Sequence, residues 1–161
     1  MNILKTLHPE SKEVTLDGEV WDLPYKVWDL IELEKVIIVH FLSKEFRENC
    51  PKDIYIGCNI WCYNKNDKSI KWIIEEPPLA YINGKLWNRG LSPANPTINR
   101  DECYMDIGAQ NEYYKSRADN ELALIKVKPL KPILYSTTTG ARGFLVNEDT
   151  GKVTLIRTGL R

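Results

Sequence analysis

Asp101, Glu102, Asp106 and Glu112 form an acidic island with no Lys or Arg between its first and last members, and Tyr104, Tyr113 and Tyr114 are interleaved with it. Carboxylates beside tyrosines suit a protein-binding surface. Tyrosine supplies contact area, and the charges steer a basic partner into place. The plainer reading is a solvated loop whose tyrosines cover core, and it carries somewhat more weight. These seven residues are nevertheless the best binding candidates in the chain.

The other reactive residue types fit chemistry less well. Cys58 and Cys62 are four apart, which on one strand separates them by about 13 Å. One metal does not bridge that distance, and neither His8 nor His40 completes a ligand set. Buried strand thiols are the expectation, with no metal and no cofactor. His40 lies in an apolar run and reads as a core or strand-edge histidine, because no Ser or Cys nucleophile has a motif to pair with it. Glu75 and Glu76 are sequence neighbours, so on a strand they point to opposite faces and do not share a substrate. No glycine-rich phosphate loop and no G-x-S-x-G elbow occurs. Catalysis is not expected.

The elements that must hold these residues are strands. Branched and aromatic residues fill Cys58 to Tyr63 and Ile70 to Glu75, around a polar turn at Asn64 to Ser69. If those arms alternate faces, Ile60, Cys62, Ile70, Trp72 and Ile74 share one apolar side. Asp17-Gly18 and Asn83-Gly84 each sit between apolar arms, a strong signal for two-residue hairpin turns. Lys35 to Leu42 reads as a strand covered on both faces. Tyr25 to Leu33 has near-helical apolar spacing and admits a short helix, although a strand fits it too. Ser43 to Asp53 reads as a charged loop. Cys103 to Ile107 and Glu112 to Tyr114 are short strand candidates in an irregular stretch. Leu122 to Lys128, Ile133 to Ser136, Gly143 to Val146 and Lys152 to Ile156 are further strands, with a polar turn at 148 to 151. Nine or ten strands spaced in this way predict a mostly β protein, an antiparallel meander of hairpins with at most a short helix.

The totals set the frame. At 161 residues a single domain is the simplest expectation. Basic and acidic side chains are equal at 22 each, so no global field draws nucleic acid or an anionic membrane. Zero net charge hides an asymmetry: residues 1–82 carry 14 acidic and 10 basic side chains, and the remainder 8 and 12. The N-terminus lacks the pattern of a secretory signal, and the longest apolar runs are too short to span a bilayer. A cytoplasmic address is expected.

Four segments also carry a family resemblance. Asn59-Ile-Trp-Cys-Tyr-Asn followed by Ile70-Lys-Trp-Ile-Ile-Glu75, the opening Leu16-Asp-Gly-Glu-Val-Trp-Asp-Leu-Pro24, the glycine-turn hairpin and the closing Phe144-Leu-Val-Asn-Glu-Asp-Thr-Gly-Lys-Val153 resemble small bacterial β-rich immunity proteins. Such proteins partner toxins delivered between cells, including those of contact-dependent growth inhibition. The resemblance implies strands arranged as in an incomplete propeller; a sandwich or barrel is the alternative architecture. It also implies an inhibitor that covers the active site of a cognate toxin domain. A nuclease toxin would present a basic cleft, over which the acidic island would mimic phosphates. The chain departs from the family pattern between Trp87 and Glu121, and that departure marks the segment for partner-specific contacts. The competing function is a carbohydrate- or small-ligand-binding module using exposed tryptophans among Trp21, Trp28, Trp61, Trp72 and Trp87, although core placement of these is the more ordinary reading.

Overall fold

The computed structural model describes residues 4–7, 10–78, 80–82, 85–87, 102–116, 124–140 and 142–157, with backbone alone at 4–7, 80–82, 85–87 and 116. The described chain is mostly antiparallel β, with 47% strand, one helix and no closed barrel. Its strands in order are β1 (Leu4–Leu7), β2 (Glu13–Leu16), β3 (Glu19–Asp22), β4 (Val27–Glu32) and β5 (Val36–Phe41). Helix α1 (Ser43–Asn49) follows, then β6 (Ile60–Asn64), β7 (Ile70–Ile73), β8 (Ala80–Ile82) and β9 (Lys85–Trp87). The second half holds β10 (Gly108–Gln110), β11 (Tyr113–Ser116), β12 (Leu124–Val127), β13 (Ile133–Thr137), β14 (Gly143–Val146) and β15 (Val153–Arg157). The expected meander is there, cut into more and shorter strands than the composition suggested.

A five-stranded sheet in the order β1-β4-β5-β6-β7 forms the middle of the molecule. Strand alternation gives each of its faces a core. On one side Ile37, Val39, Phe41, Trp61 and Tyr63 pack with Val14 and Trp21 of the β2–β3 hairpin and with Phe46 of α1. On the other, Ile38, Ile60, Cys62, Trp72 and Ile74 meet Tyr104, Ile107, Leu134, Phe144 and Val146. Leu134, Phe144 and Val146 belong to a four-stranded sheet, β10-β13-β14-β15. Two sheets and a capping hairpin thus enclose two apolar layers. Every residue of β5 is buried, as its continuous apolar run predicts.

The β2–β3 turn has positive φ at both Asp17 (51°) and Gly18 (76°), the geometry that this dipeptide signals. The Asn83-Gly84 turn lies outside the described residues, but its flanking strands β8 and β9 do pair.

Three local expectations need correction. Tyr25 to Leu33 is not helical: residues 27–32 form strand β4, with a register irregularity between Val27 and Asp29. That bulge brings Val27 and Leu30, three residues apart, onto the same core, which mimics helical spacing in the sequence. Conversely, the predicted loop contains α1. One buried side chain, Phe46, holds this helix; Phe46 stacks on Phe41 at 6.0 Å between ring centroids and meets Trp61 edge-on at 5.9 Å. A single apolar residue gives no periodicity to read. Finally, Ile70 is 48% exposed instead of joining the apolar face. A second irregularity, between Cys62 and Tyr63, sets Trp72 opposite Cys62 and Ile70 opposite Tyr63, so Ile70 leaves the face shared by Cys62 and Trp72.

Candidate functional site

The segment that carries the acidic island enters the structure as a strap along β13. Tyr104 forms a bridge with Thr138, Met105 N–H donates to Thr137 O at 2.8 Å, and Thr139 N–H donates to Cys103 O at 2.9 Å. This strap carries Glu102 inward. Glu102 is 1% exposed and Arg142 6%. They form a bidentate ion pair through both carboxylate oxygens, and Thr138 donates its hydroxyl to Glu102 Oε2. Gly140 leaves the necessary room, because a Cβ there would lie 2.7 Å from Glu102 Oε2. The Arg142 guanidinium also sits 5.2 Å from the Phe144 ring centre. Glu102 therefore locks the β13–β14 turn and is not available to a docking partner.

Tyr104 is equally internal, at 0% exposure. Its hydroxyl donates to Glu75 O at 2.6 Å. Its carbonyl accepts from Asn59 Nδ2 at 3.1 Å and contacts His40 Nε2 at 3.1 Å. His40 is thus a core histidine at the junction of the two sheets, 2% exposed. Glu102 and Tyr104 are corrections to the predicted surface: their polar atoms serve the fold.

The remaining carboxylates are exposed but engaged. Asp106 accepts the Thr137 N–H at 2.8 Å through Oδ1, and Glu112 pairs with Lys126 at 2.9 Å. Asp101 lies outside the described residues. No array of free carboxylates is presented by Glu102, Asp106 and Glu112, so these three do not form a phosphate-like surface.

Exposed apolar area collects instead on the β11–β12 arm. Its register sets Tyr113 opposite Val127, Tyr114 opposite Lys126, Lys115 opposite Ile125 and Ser116 opposite Leu124. Tyr113 and Val127 are half-buried. Tyr114 is 47% exposed, Leu124 43%, Ile125 47%, and Leu130 beyond the arm fully exposed. Tyr114 and Leu124 lie on one face, and Ile125 on the other. Isolated two-stranded ribbons are marginal in water, and grouped apolar side chains on a surface mark interaction sites. The arm is also basic. Lys115, Lys126, Lys128 and Lys131 surround it and Glu112 is the acid among its described residues. Lys126 is held by Glu112 and lies 6.0 Å from the Tyr114 ring centre; its pKa is raised, chiefly by the Glu112 hydrogen bond. Tyr113, Tyr114 and Glu112 thus do fall on one surface element, with the opposite net charge from the one expected. The apolar letters of Leu124-Ile-Lys-Val127 carried a signal for this surface, but alone they read as an ordinary buried strand.

Three of the five tryptophans are core. Trp21, Trp61 and Trp72 are 4–6% exposed, and the last two donate their indole N–H groups to Cys58 O and Glu148 O at 2.9 and 2.8 Å. Trp28 is half-buried, and the Trp87 side chain lies outside the described residues. The four cysteines are free thiols, three of them buried. Burial pushes the Cys62 thiol up to about 12 and raises the Tyr63 and Tyr104 hydroxyls as well. Their ordinary values are 9.0 for the thiol and 10.0 for the phenols. Between those values and the folded ones, the folded state holds more protons than the unfolded state. The stability that these three groups contribute is therefore full below pH 9 and is lost as pH rises toward 12. A urea-unfolding midpoint that declines across this window is the expected result; a midpoint that stays level contradicts it.

No group of three or more His, Cys, Asp or Glu suited to a metal ion occurs among the described residues. Nor is any described helix long and apolar enough to cross a membrane. No protein-family model matches the chain, and no curated protein or solved structure gives a significant match.

Proposed function

We propose that the chain is an immunity-type protein that binds and neutralises a cognate bacterial toxin domain, and that the β11–β12 arm makes the central contact. The observation that carries this reading is the arm itself: Tyr114, Leu124 and Ile125 stand well exposed on both faces of a two-stranded ribbon. Water gives such a ribbon little stability, whereas a partner covering it buries aromatic and branched side chains of the kind that dominate interface energetics. The resemblance of the hairpin segments to immunity proteins supplies the class of partner. Contact through the arm replaces phosphate mimicry by the acidic island, because Glu102 lies in the core.

Co-expression with a toxin domain encoded beside the chain tests the proposal. An equimolar complex with rescued growth is the expected result. Combined Leu124→Asp and Ile125→Asp substitutions should weaken that complex about a hundredfold or more, while the fold stays intact. A folded protein that neither binds nor rescues overturns the immunity reading. A complex indifferent to the two substitutions overturns the arm as its contact.

A further inference from the structure

Among the described residues β12 has a neighbouring strand on one side only, β11. Strand β11 itself lies against β15, which leaves β12 outermost. In an antiparallel pair, alternate residues direct both N–H and C=O at the partner strand, and the residues between direct theirs away. Half of the β12 backbone groups therefore point to an outer edge, where no described residue hydrogen-bonds them.

Edge strands are commonly guarded against further pairing by a lysine. The lysine within β12 gives no such guard. Lys126 reaches back to Glu112 at 2.9 Å and lies 6.0 Å from the Tyr114 ring centre, both on the β11 side. What remains along the edge is Leu124 and Ile125, 43% and 47% exposed. They project to opposite faces. A partner lying flat on either face covers one of them and leaves the other in water. A strand added in the plane of the ribbon flanks both, and it takes up the outward backbone groups as well.

Charge decides whose strand this is. The Glu112–Lys126 pair cancels itself, whereas Lys115 and Lys128 are exposed and have no ion pair among the described residues. Two copies joined arm to arm would bring these lysines together, and like charges across an interface cost affinity. An acidic segment of another protein gains where a second copy loses. We infer that β12 captures the toxin by strand addition, an inference that rests on the immunity reading above. An extended segment of the toxin, apolar opposite Leu124 and Ile125 and acidic near Lys115 and Lys128, becomes the third strand of the arm.

Amide hydrogen exchange on the complex with the toxin domain encoded beside the chain tests this, together with light scattering on the chain alone. Alone, the chain should keep its mass of 18.6 kDa. In the complex, alternate amides of β12, those directed away from β11, should slow about a hundredfold or more. Lys115→Glu with Lys128→Glu should weaken the complex about tenfold or more. Both sites are exposed, so this variant should keep the wild-type circular dichroism. A complex in which the outward amides exchange as fast as in the free chain overturns strand addition and leaves the immunity reading standing. A complex indifferent to the charge reversal overturns the acidic segment as the occupant. A chain that dimerises by itself, with the same amides slowed, gives the edge to a second copy and overturns the proposal. Absence of any complex overturns the immunity reading and strand addition together.

Discussion

Replacing Arg142 with alanine should lower the unfolding free energy by about 3–5 kcal/mol, the usual cost of leaving one member of a buried ion pair without its partner. Glu102 would remain in the core with its charge and would keep Thr138 as its hydroxyl donor. The turn joining β13 to β14 would lose its anchor, and Phe144 its guanidinium neighbour. The pair itself is a poor source of net stability. Arg142 Nη1 has no hydrogen-bond partner among the described residues, so part of its desolvation goes uncompensated. The combined change Glu102→Gln and Arg142→Met should therefore cost less than Arg142→Ala alone, since it leaves no buried charge behind. Urea titration of the three proteins decides this. If the double variant is the least stable, the pair contributes more than its burial suggests and the argument fails.

The second large effect is expected at Tyr104. Truncation to alanine removes a fully buried ring that packs 6.0 Å from Phe144, and should cost about 3–5 kcal/mol. Tyr104→Phe keeps the ring and loses the hydroxyl that donates to Glu75 O, at about 1–3 kcal/mol, because that carbonyl is left without this donor. The backbone bonds to Asn59 and His40 survive in both variants, as the Tyr104 carbonyl makes them. Hydrogen exchange separates ring from hydroxyl. Only the alanine variant should show accelerated exchange in both sheets together; acceleration confined to β13 would show that Tyr104 does not join them.

The chain's local chemistry announced much of this architecture. Asp17-Gly18 and the polar bend ending at Gly151, whose φ is 72°, specify their turns by conformational necessity. The run from Val36 to Phe41 specifies a strand with two covered faces. What escaped local reading depends on partners far along the chain. Val27 and Leu30 share a face through a bulge, which only their pairing with β5 reveals. Glu102 and Arg142 meet across 40 positions, and nothing near Glu102 marks it as a core residue. Tyr104 looks like its neighbour tyrosines in composition, yet it is enclosed while Tyr114 is not. The binding candidates followed the same rule: Glu112, Tyr113 and Tyr114 fall together through the local pairing of β11 with β12, whereas the membership of Glu102 and Tyr104 was set by the distant β13 and the central sheet.

The placement of β5 has a consequence for synthesis on the ribosome. Strands β4, β5 and β6 each pair with the next strand in the chain, so this sheet can assemble as soon as residue 73 has emerged. One of its faces is covered by residues already made, among them Trp21 and Phe46. The other waits for Tyr104, Leu134 and Phe144, the last about 70 residues later. At the pace of translation that interval lasts several seconds. During it Ile38, Ile60 and Trp72 form a sticky nascent surface, and a chaperone that holds it until the C-terminal strands arrive would raise the yield of native protein.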